Sequence, residues 1–360
     1  MSTTDRPGQS FGYASFFWGG LAICGIGLWV FSINTAAAPQ GWRALLINFL
    51  FFSSLAGGLT TWPAVVRACN GRWPGELERV AFSAIAFAVP SLLALVLLWV
   101  GSNRWSPWYD IEYHQGGWLN NSFVFGRDLA GLAVFWLTAV RYLVARRNGQ
   151  GSVWGGLLIV TYSLVFSLLG FDLVMALDPE WYSTLLGGYF FISGLYIASA
   201  AWAFLAVWQR ETREEQLMDL GRLIVAFSLM ATYLMYAHLL PIWYENLPDE
   251  TRFLAPRLNF QPWLGVSYLL LGLVYLGPLV LLLTERSKRN RWSLGGISLL
   301  VLCGMWIERW WLVTPVFDKN LNLGLAELSV AMAFAGLLGM GMEQFQRRLP
   351  ANCFRSEDEK

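Results

Sequence analysis

The sequence predicts an all-α integral membrane protein of about ten transmembrane helices. Three observations predict it. Hydrophobic residues make up 56% of the 360 positions. Charged residues make up 14%, where an ordinary soluble domain carries about 25%. The apolar residues also fall into ten runs, each long enough to cross a hydrocarbon core of about 30 Å, which takes roughly 20 helical residues. A helix is the form such a run must take, because it satisfies its backbone polar groups within its own segment.

The first run, near Tyr13 to Ile33, follows a start with one basic residue and no small-residue cleavage pattern. It is therefore expected to stay as a helix rather than be removed as a signal. The second and third runs lie near Trp42 to Arg67 and Val80 to Val100, and the fourth and fifth near Phe123 to Val144 and Ser152 to Phe171. The sixth, near Tyr182 to Trp208, is preceded by Asp178-Pro179-Glu180. That triplet reads as a helix start, with Asp178 as N-cap, Pro179 first in the helix and Glu180 at the positive end of the dipole. The last four runs lie near Leu220 to Trp243, Trp263 to Thr284, Ser293 to Val313 and Gly324 to Phe345. Trp62, Trp99, Trp243 and Trp263 fall near predicted helix ends, where an interfacial aromatic belt accounts for them.

Ten spans put both termini on one side. That side, with the loops near Arg67 to Arg79, Arg141 to Arg147, Arg210 to Arg222 and Arg286 to Arg291, holds 18 of the 25 Lys and Arg residues. The positive-inside rule then makes both termini cytoplasmic. The net charge of +1 says nothing about partners; no nucleic-acid partner is expected of a membrane protein of this kind.

Four cysteines, Cys24, Cys69, Cys303 and Cys353, are scattered without a C-x-x-C pair, which argues against a metal or iron–sulfur site and against a disulfide framework. The two histidines, His114 and His238, are too few for two haems held by histidine pairs. His114 falls in an outside loop beside Asp110 and Glu112, where it is expected to be solvated.

The halves of the chain look alike. Trp108-Tyr109-Asp110 recurs as Trp243-Tyr244-Glu245 135 residues later, and Asp172, closing the fifth run, is matched by Glu308 in the ninth, 136 residues later. Trp118-Leu119 opens the fourth run as Trp263-Leu264 opens the eighth. The expected internal repeat, 42–172 and 182–313, makes helices two to five and six to nine two four-helix bundles within a single membrane domain. Helices one and ten are then peripheral. Repeat-built membrane proteins place ligands at matching positions or at the repeat interface.

Arg127 and Asp128 are expected roughly 14 Å along helix four from its outer end, and Glu308 and Arg309 roughly 22 Å along helix nine from its inner end. Asp172 and His238 come near the outer ends of helices five and seven. All six fall in the outer half of the membrane, where a buried charge must pair or face water. Neighbours on a helix diverge by about 100°, so Arg127 and Asp128 are expected to meet Asp172, and Glu308 and Arg309 to meet His238 and Glu245. Two readings stand side by side: ion pairs that fix helix register, or an outward-facing pocket that takes up protons. The inner half offers hydroxyls such as Thr60, Thr61, Ser83, Thr138 and Thr161 and no carboxylate well inside. Asn246, Asp249 and Glu250 after helix seven either cap helices or touch a partner outside the membrane.

The stretches FDLVMALDPEWYSTLLGGYFF, LLPIWYENLPDETRFLAPR and IERWWLVTP resemble the NrfD-like membrane subunits of polysulfide-reductase type. The resemblance is closest to the smaller of two such subunits in bacterial alternative complex III, a quinol:electron-acceptor (cytochrome c) oxidoreductase of the respiratory chain, and runs from about helix two to helix nine. It implies two antiparallel four-helix bundles in the bacterial cytoplasmic membrane and no redox cofactor of the chain's own. It also implies a multi-subunit setting: a larger NrfD-like subunit, multihaem cytochrome c and iron–sulfur subunits, lipid, and a terminal oxidase. The ligand it implies is a quinone, menaquinone or ubiquinone. The functional expectation is a subunit contributing assembly and a periplasm-facing proton or quinone pocket. A scaffold subunit of the same complex and a stand-alone secondary transporter are the alternatives, the latter because Pro90 and Pro278 lie inside spans and transporters break helices near the midplane.

Overall fold

The computed structural model describes residues 13–349 apart from 36, 112, 114, 115 and 151. Glu112, His114 and Cys353 lie outside the described residues. The protein is a multi-pass all-α membrane protein, with ten helices among the described residues long and apolar enough to cross a bilayer. They are α1 (Tyr13–Ile33), α2 (Ala38–Ala68), α3 (Leu77–Val100), α4 (Asn121–Arg147), α5 (Ser152–Leu173), α6 (Leu185–Val207), α7 (Glu214–Glu245), α8 (Trp263–Leu281), α9 (Arg291–Val313) and α10 (Leu325–Arg348).

The helices pack as two four-helix bundles. In the first, α2 touches α3 and α5, and α4 closes the ring between them; in the second, α6 touches α7 and α9, and α8 closes the ring. The bundles join through α2 and α6, with α2 buried along its whole apolar stretch. In lipid no hydrophobic force holds helices together, so close backbone approach must do so. A Cβ at Gly58 of α2 would stand 2.8 Å from the Gly194 carbonyl oxygen of α6. The peripheral helices α1 and α10 pack against each other, and α10 then rests on α2 and α3 of the first bundle. Their crossing is equally tight, since a Cβ at Gly25 would stand 2.4 Å from the backbone nitrogen of Ala333. Asn48, buried in α2, ties three helices: its amide donates to the Glu327 carbonyl at 3.0 Å and its oxygen accepts from the Trp306 indole at 2.9 Å.

Two spans are irregular inside. α3 tightens into a 3-10 turn at Ala84–Phe87, just before Pro90, and α8 widens into a π turn at Leu271–Leu276, just before Pro278. Proline lacks the N–H that would bond the carbonyl four residues back. For Pro278 that carbonyl belongs to Val274, and the Tyr196 hydroxyl donates to it at 2.7 Å. The Tyr275 carbonyl takes the Ser228 hydroxyl at 2.7 Å. Neighbouring helices thus satisfy the groups that the break frees, as an apolar surrounding demands.

One helix boundary differs from expectation. Asp178-Pro179-Glu180 does not start the sixth span, which begins at Leu185 after Thr184. Arg252, from the connection after α7, draws both carboxylates away: its Nε donates to Asp178 at 2.9 Å, and another of its nitrogens bonds Glu180. Buried Trp181 between them stacks on Phe253 with ring centroids 4.1 Å apart.

Candidate functional site

Two groups of buried ionisable side chains lie near the end opposite the arginine-rich loops, one in each bundle. In the first, Asn120 caps α4 by accepting from the backbone N–H groups of Ser122 and Phe123. Arg127 and Asp128 follow about 10 Å into the helix. That is shallower than the sequence suggests, because Gly116–Leu119 forms a separate turn. The Arg127 guanidinium donates to one Asp172 oxygen on α5 from Nη2 at 2.5 Å and from Nε at 3.2 Å. It lies over the Trp118 ring, 3.9 Å from the ring centre, with Phe123 at 4.9 Å. Such stacking on an aromatic face favours a cation. Asp128 is 1% exposed and Arg127 14%. The Asp128 carboxyl faces that of Asp172, and neither of its oxygens takes a hydrogen bond from any N–H or O–H among the described residues. Two carboxyls can bond to each other only with a proton between them.

In the second bundle the expected meeting of Glu308 and Arg309 with His238 and Glu245 does not occur. Arg309 turns back on its own neighbour: its Nη1 donates to Glu308 at 2.8 Å, and both residues are wholly buried in α9. The Cα–Cβ directions of adjacent helical residues do diverge, but a side chain of arginine's length can curl around the helix. Its Nη2 donates to Ser193 at 2.8 Å and its guanidinium lies 4.3 Å from the Phe190 ring centre, both on α6. The other Glu308 oxygen accepts from the Tyr189 hydroxyl at 2.5 Å, and that hydroxyl lies 2.6 Å from the hydroxyl of Tyr275. Tyr275 sits in the π turn, so the break in α8 is what aims it at this group; π turns often mark functional sites.

His238 pairs with Ser183 instead, its Nδ1 3.1 Å from the serine hydroxyl and its ring beside Trp181. Glu245 is exposed at the end of α7 and joins none of the ion pairs among the described residues. A void of about 10 Å³, lined by Tyr189, His238 and Phe253 among others, separates the histidine from the Glu308 group.

The connection after α7 folds over this end. Asn246 takes the left-handed conformation that ends α7 (φ 49°), and Asp249 and Glu250 lie in the first turn of a short helix, Pro248–Thr251. Arg257, fully buried, donates to the Trp311 and Leu312 carbonyls at the end of α9 at 3.0 and 2.7 Å and lies 3.6 Å from the Phe253 ring centre. Burial pushes its guanidinium down to about 9, against the pull of Asp178. The stretches 171–191, 239–257 and 307–315 are thereby joined at one end, through Arg252 to Asp178, the Trp181 indole to the Glu250 carbonyl at 3.0 Å, and Arg257 to α9.

Sequence reasoning passes over Tyr189, Ser193 and Tyr275. Their one signal is spacing: Tyr189, Ser193 and Tyr196 recur at i, i+4 and i+7, a polar stripe on one face of α6. It also passes over Glu78, in the first turn of α3 and wholly buried, which pairs with Arg67 at 2.9 Å and Arg146 at 3.3 Å. The inner half therefore does hold a buried carboxylate, at its edge.

Two clefts at the same end are not lined by Asp128, Asp172 or Glu308. One of about 440 Å³ is lined by Tyr236, Leu239, Trp243, Asn246, Leu254 and Asn259, and another of about 460 Å³ by Glu180, Trp181, Tyr182 and Leu247–Glu250. Among the described residues no three His, Cys, Asp or Glu converge as a metal ion requires. Cys24, Cys69 and Cys303 are free. No protein-family model matches the sequence, and no curated protein matches it.

Proposed function

We propose that this chain is a membrane subunit of a respiratory quinol:electron-acceptor oxidoreductase of the alternative complex III type. It contributes assembly and a proton-handling site on the periplasmic side, while neighbouring haem and iron–sulfur subunits carry the electrons. One observation carries this reading: Asp128 is buried against Asp172 without a hydrogen-bond donor among the described residues, beside the Arg127 guanidinium that binds Asp172. A carboxyl that no N–H or O–H group satisfies in an apolar interior costs stability, and a role in taking up and releasing a proton gives a reason to keep it. Quinol oxidation frees two protons, which need an acceptor nearby. The three stretches that resemble the NrfD-like subunits meet at this same end of the molecule, which supports the family reading. The clefts at this end are not lined by Asp128, Asp172 or Glu308, which favours protons over a quinone ring as what these residues handle.

Purifying the tagged chain from its native membrane tests the setting: haem-containing and iron–sulfur subunits should come with it, and a chain that emerges alone points to a transporter. Asp172→Asn tests the site. Turnover with quinol should fall about a hundredfold, the lower range for loss of a general base, in a complex that still assembles. Unchanged turnover at normal assembly rules the role out. Both Glu308 oxygens accept a bond, from Tyr189 and Arg309, which favours a scaffold reading for the second bundle; if the whole chain is a scaffold, Asp172→Asn would lower assembly and turnover together.

A further inference from the structure

The arginine-rich end carries two clefts built to one plan. The first, about 280 Å³, lies between the last turns of α2 and α4 and the first turn of α5, and is lined by Arg67, Tyr142, Arg146, Gly155 and Gly156 among others. The second, about 360 Å³, lies between the end of α6 and the start of α9, and is lined by Val207, Trp208, Arg210, Arg291, Gly295 and Gly296 among others. Each has a glycine pair near the start of a helix, and the two glycines differ in the same way. A Cβ at the first would touch the wall, 3.1 Å from Tyr142 at Gly155 and 3.2 Å from Val207 at Gly295; at the second, Gly156 or Gly296, it would meet nothing within 4 Å. The second glycine is what keeps each cleft open.

Both clefts carry surplus positive charge. In the first, one buried carboxylate, Glu78, faces two guanidiniums, those of Arg67 and Arg146, which leaves one charge unmatched. In the second, Arg291 donates to the carbonyls of Val207, Gln209 and Thr212 and pairs with no carboxylate among the described residues, while Arg210 stands exposed. Apolar surface leads away from each toward the membrane interior. On α5, Val160 and Leu164 lie four and eight residues beyond Gly156, on the same face, and are 53% and 67% exposed. On α9, Leu299 lies one turn beyond Gly295–Gly296 and is exposed. Exposed Trp208 and Trp292 flank the second cleft, where aromatic rings mark the headgroup level.

We propose that these clefts are a matched pair of headgroup sites for anionic phospholipids of the cytoplasmic leaflet. The phosphate lies at the arginines, the glycerol backbone passes over Gly156 or Gly296, and an acyl chain follows the apolar stripe. Arginine suits phosphate because its planar fork donates two bonds at once, and basic pockets between spans on the cytoplasmic side suit such headgroups. A zwitterionic lipid brings its own cation to the arginines. Free phosphate makes no use of the stripe. The proposal does not depend on the redox reading.

Thermal unfolding of the detergent-solubilised full chain, with whatever subunits accompany it, tests this. The probes are dioctanoyl phosphatidylglycerol, dioctanoyl phosphatidylcholine and inorganic phosphate. Phosphatidylglycerol should raise the midpoint saturably, and the other two should not. Gly156→Leu with Gly296→Leu fills both clefts at exposed helix positions where leucine forms helix better than glycine, so the lipid-free midpoint should hold. Apparent affinity for phosphatidylglycerol should then weaken about tenfold or more. Equal response to phosphatidylcholine, equal response to phosphate alone, or unchanged affinity in the double variant overturns the proposal. Native mass spectrometry of the unaltered protein should find co-isolated lipid enriched in anionic species over the source membrane. The absence of such enrichment overturns it too.

Discussion

In the α2–α5 bundle a guanidinium crosses from α4 to reach a carboxylate on α5, and a second carboxyl, Asp128, is left without a donor. In the α6–α9 bundle Glu308 and Arg309 stand side by side on one helix, and each carboxylate oxygen has a donor of its own, Tyr189 for one and Arg309 for the other. The first group is less deeply buried, with Arg127 14% exposed, whereas Glu308 and Arg309 are both 0% exposed. Burial of charge is costly in both places, but only in the second does each carboxylate oxygen receive a donor, even though Arg309 Nε stays buried without a partner among the described residues. A carboxylate bonded at both oxygens is held in one state. One without a donor leaves room for a proton to come and go.

The largest effect that could break this comparison comes from Glu308→Leu. It leaves the Arg309 guanidinium buried with Ser193 as its remaining polar partner, and removing one member of a buried pair costs about 3 to 5 kcal/mol. Reduced recovery of folded protein and a lower unfolding midpoint in detergent are expected; an unchanged midpoint would show that the second group is not the buried clamp described above. Tyr189→Phe is smaller and sharpens the point. It removes one bond to a charged acceptor, about 1.5 to 3 kcal/mol, and strands the Tyr275 hydroxyl. A midpoint shift smaller than that of Glu308→Leu but clearly above zero is expected, and equal shifts would mean that the tyrosine, not the arginine, secures the glutamate.

The ten spans are legible in the sequence because hydropathy over 20 residues is a local property, and a membrane leaves a long apolar run few other uses. The contact of Arg127 with Asp172 is legible for a related reason: a charge inside a span must find a partner on another helix. The same rule misleads at Glu308 and Arg309, since it follows the Cβ directions and ignores how far an arginine can bend. Asp178-Pro179-Glu180 has every local mark of a helix start. What overrules it is Arg252, 72 residues beyond Glu180 in the chain, which no local reading can place. Glu78 hides for the opposite reason. It stands just outside an apolar run, where a carboxylate is expected to be solvated, and only the fold sets Arg67 and Arg146 against it. Tyr189 and Tyr275 count as apolar in composition, and only the π turn ahead of Pro278 reveals where their hydroxyls point.

The smallest expected effect is the most discriminating. Asp128→Leu removes a buried carboxyl that accepts no bond from an N–H or O–H donor among the described residues, and replacing it with an apolar side chain of similar volume should leave stability within about 1 kcal/mol of the parent or raise it. Asp172 keeps its arginine in that variant, so the ion pair across α4 and α5 survives. If the first group exists to handle protons, quinol turnover of the assembled complex should drop even though the fold is no weaker. A scaffold makes the opposite demand: a residue kept for register should cost stability when lost and leave turnover of the surviving complex alone. A midpoint that falls as far as that of Glu308→Leu would therefore erase the distinction between the two bundles, because it would mean that Asp128 is bonded as firmly as the glutamate on α9.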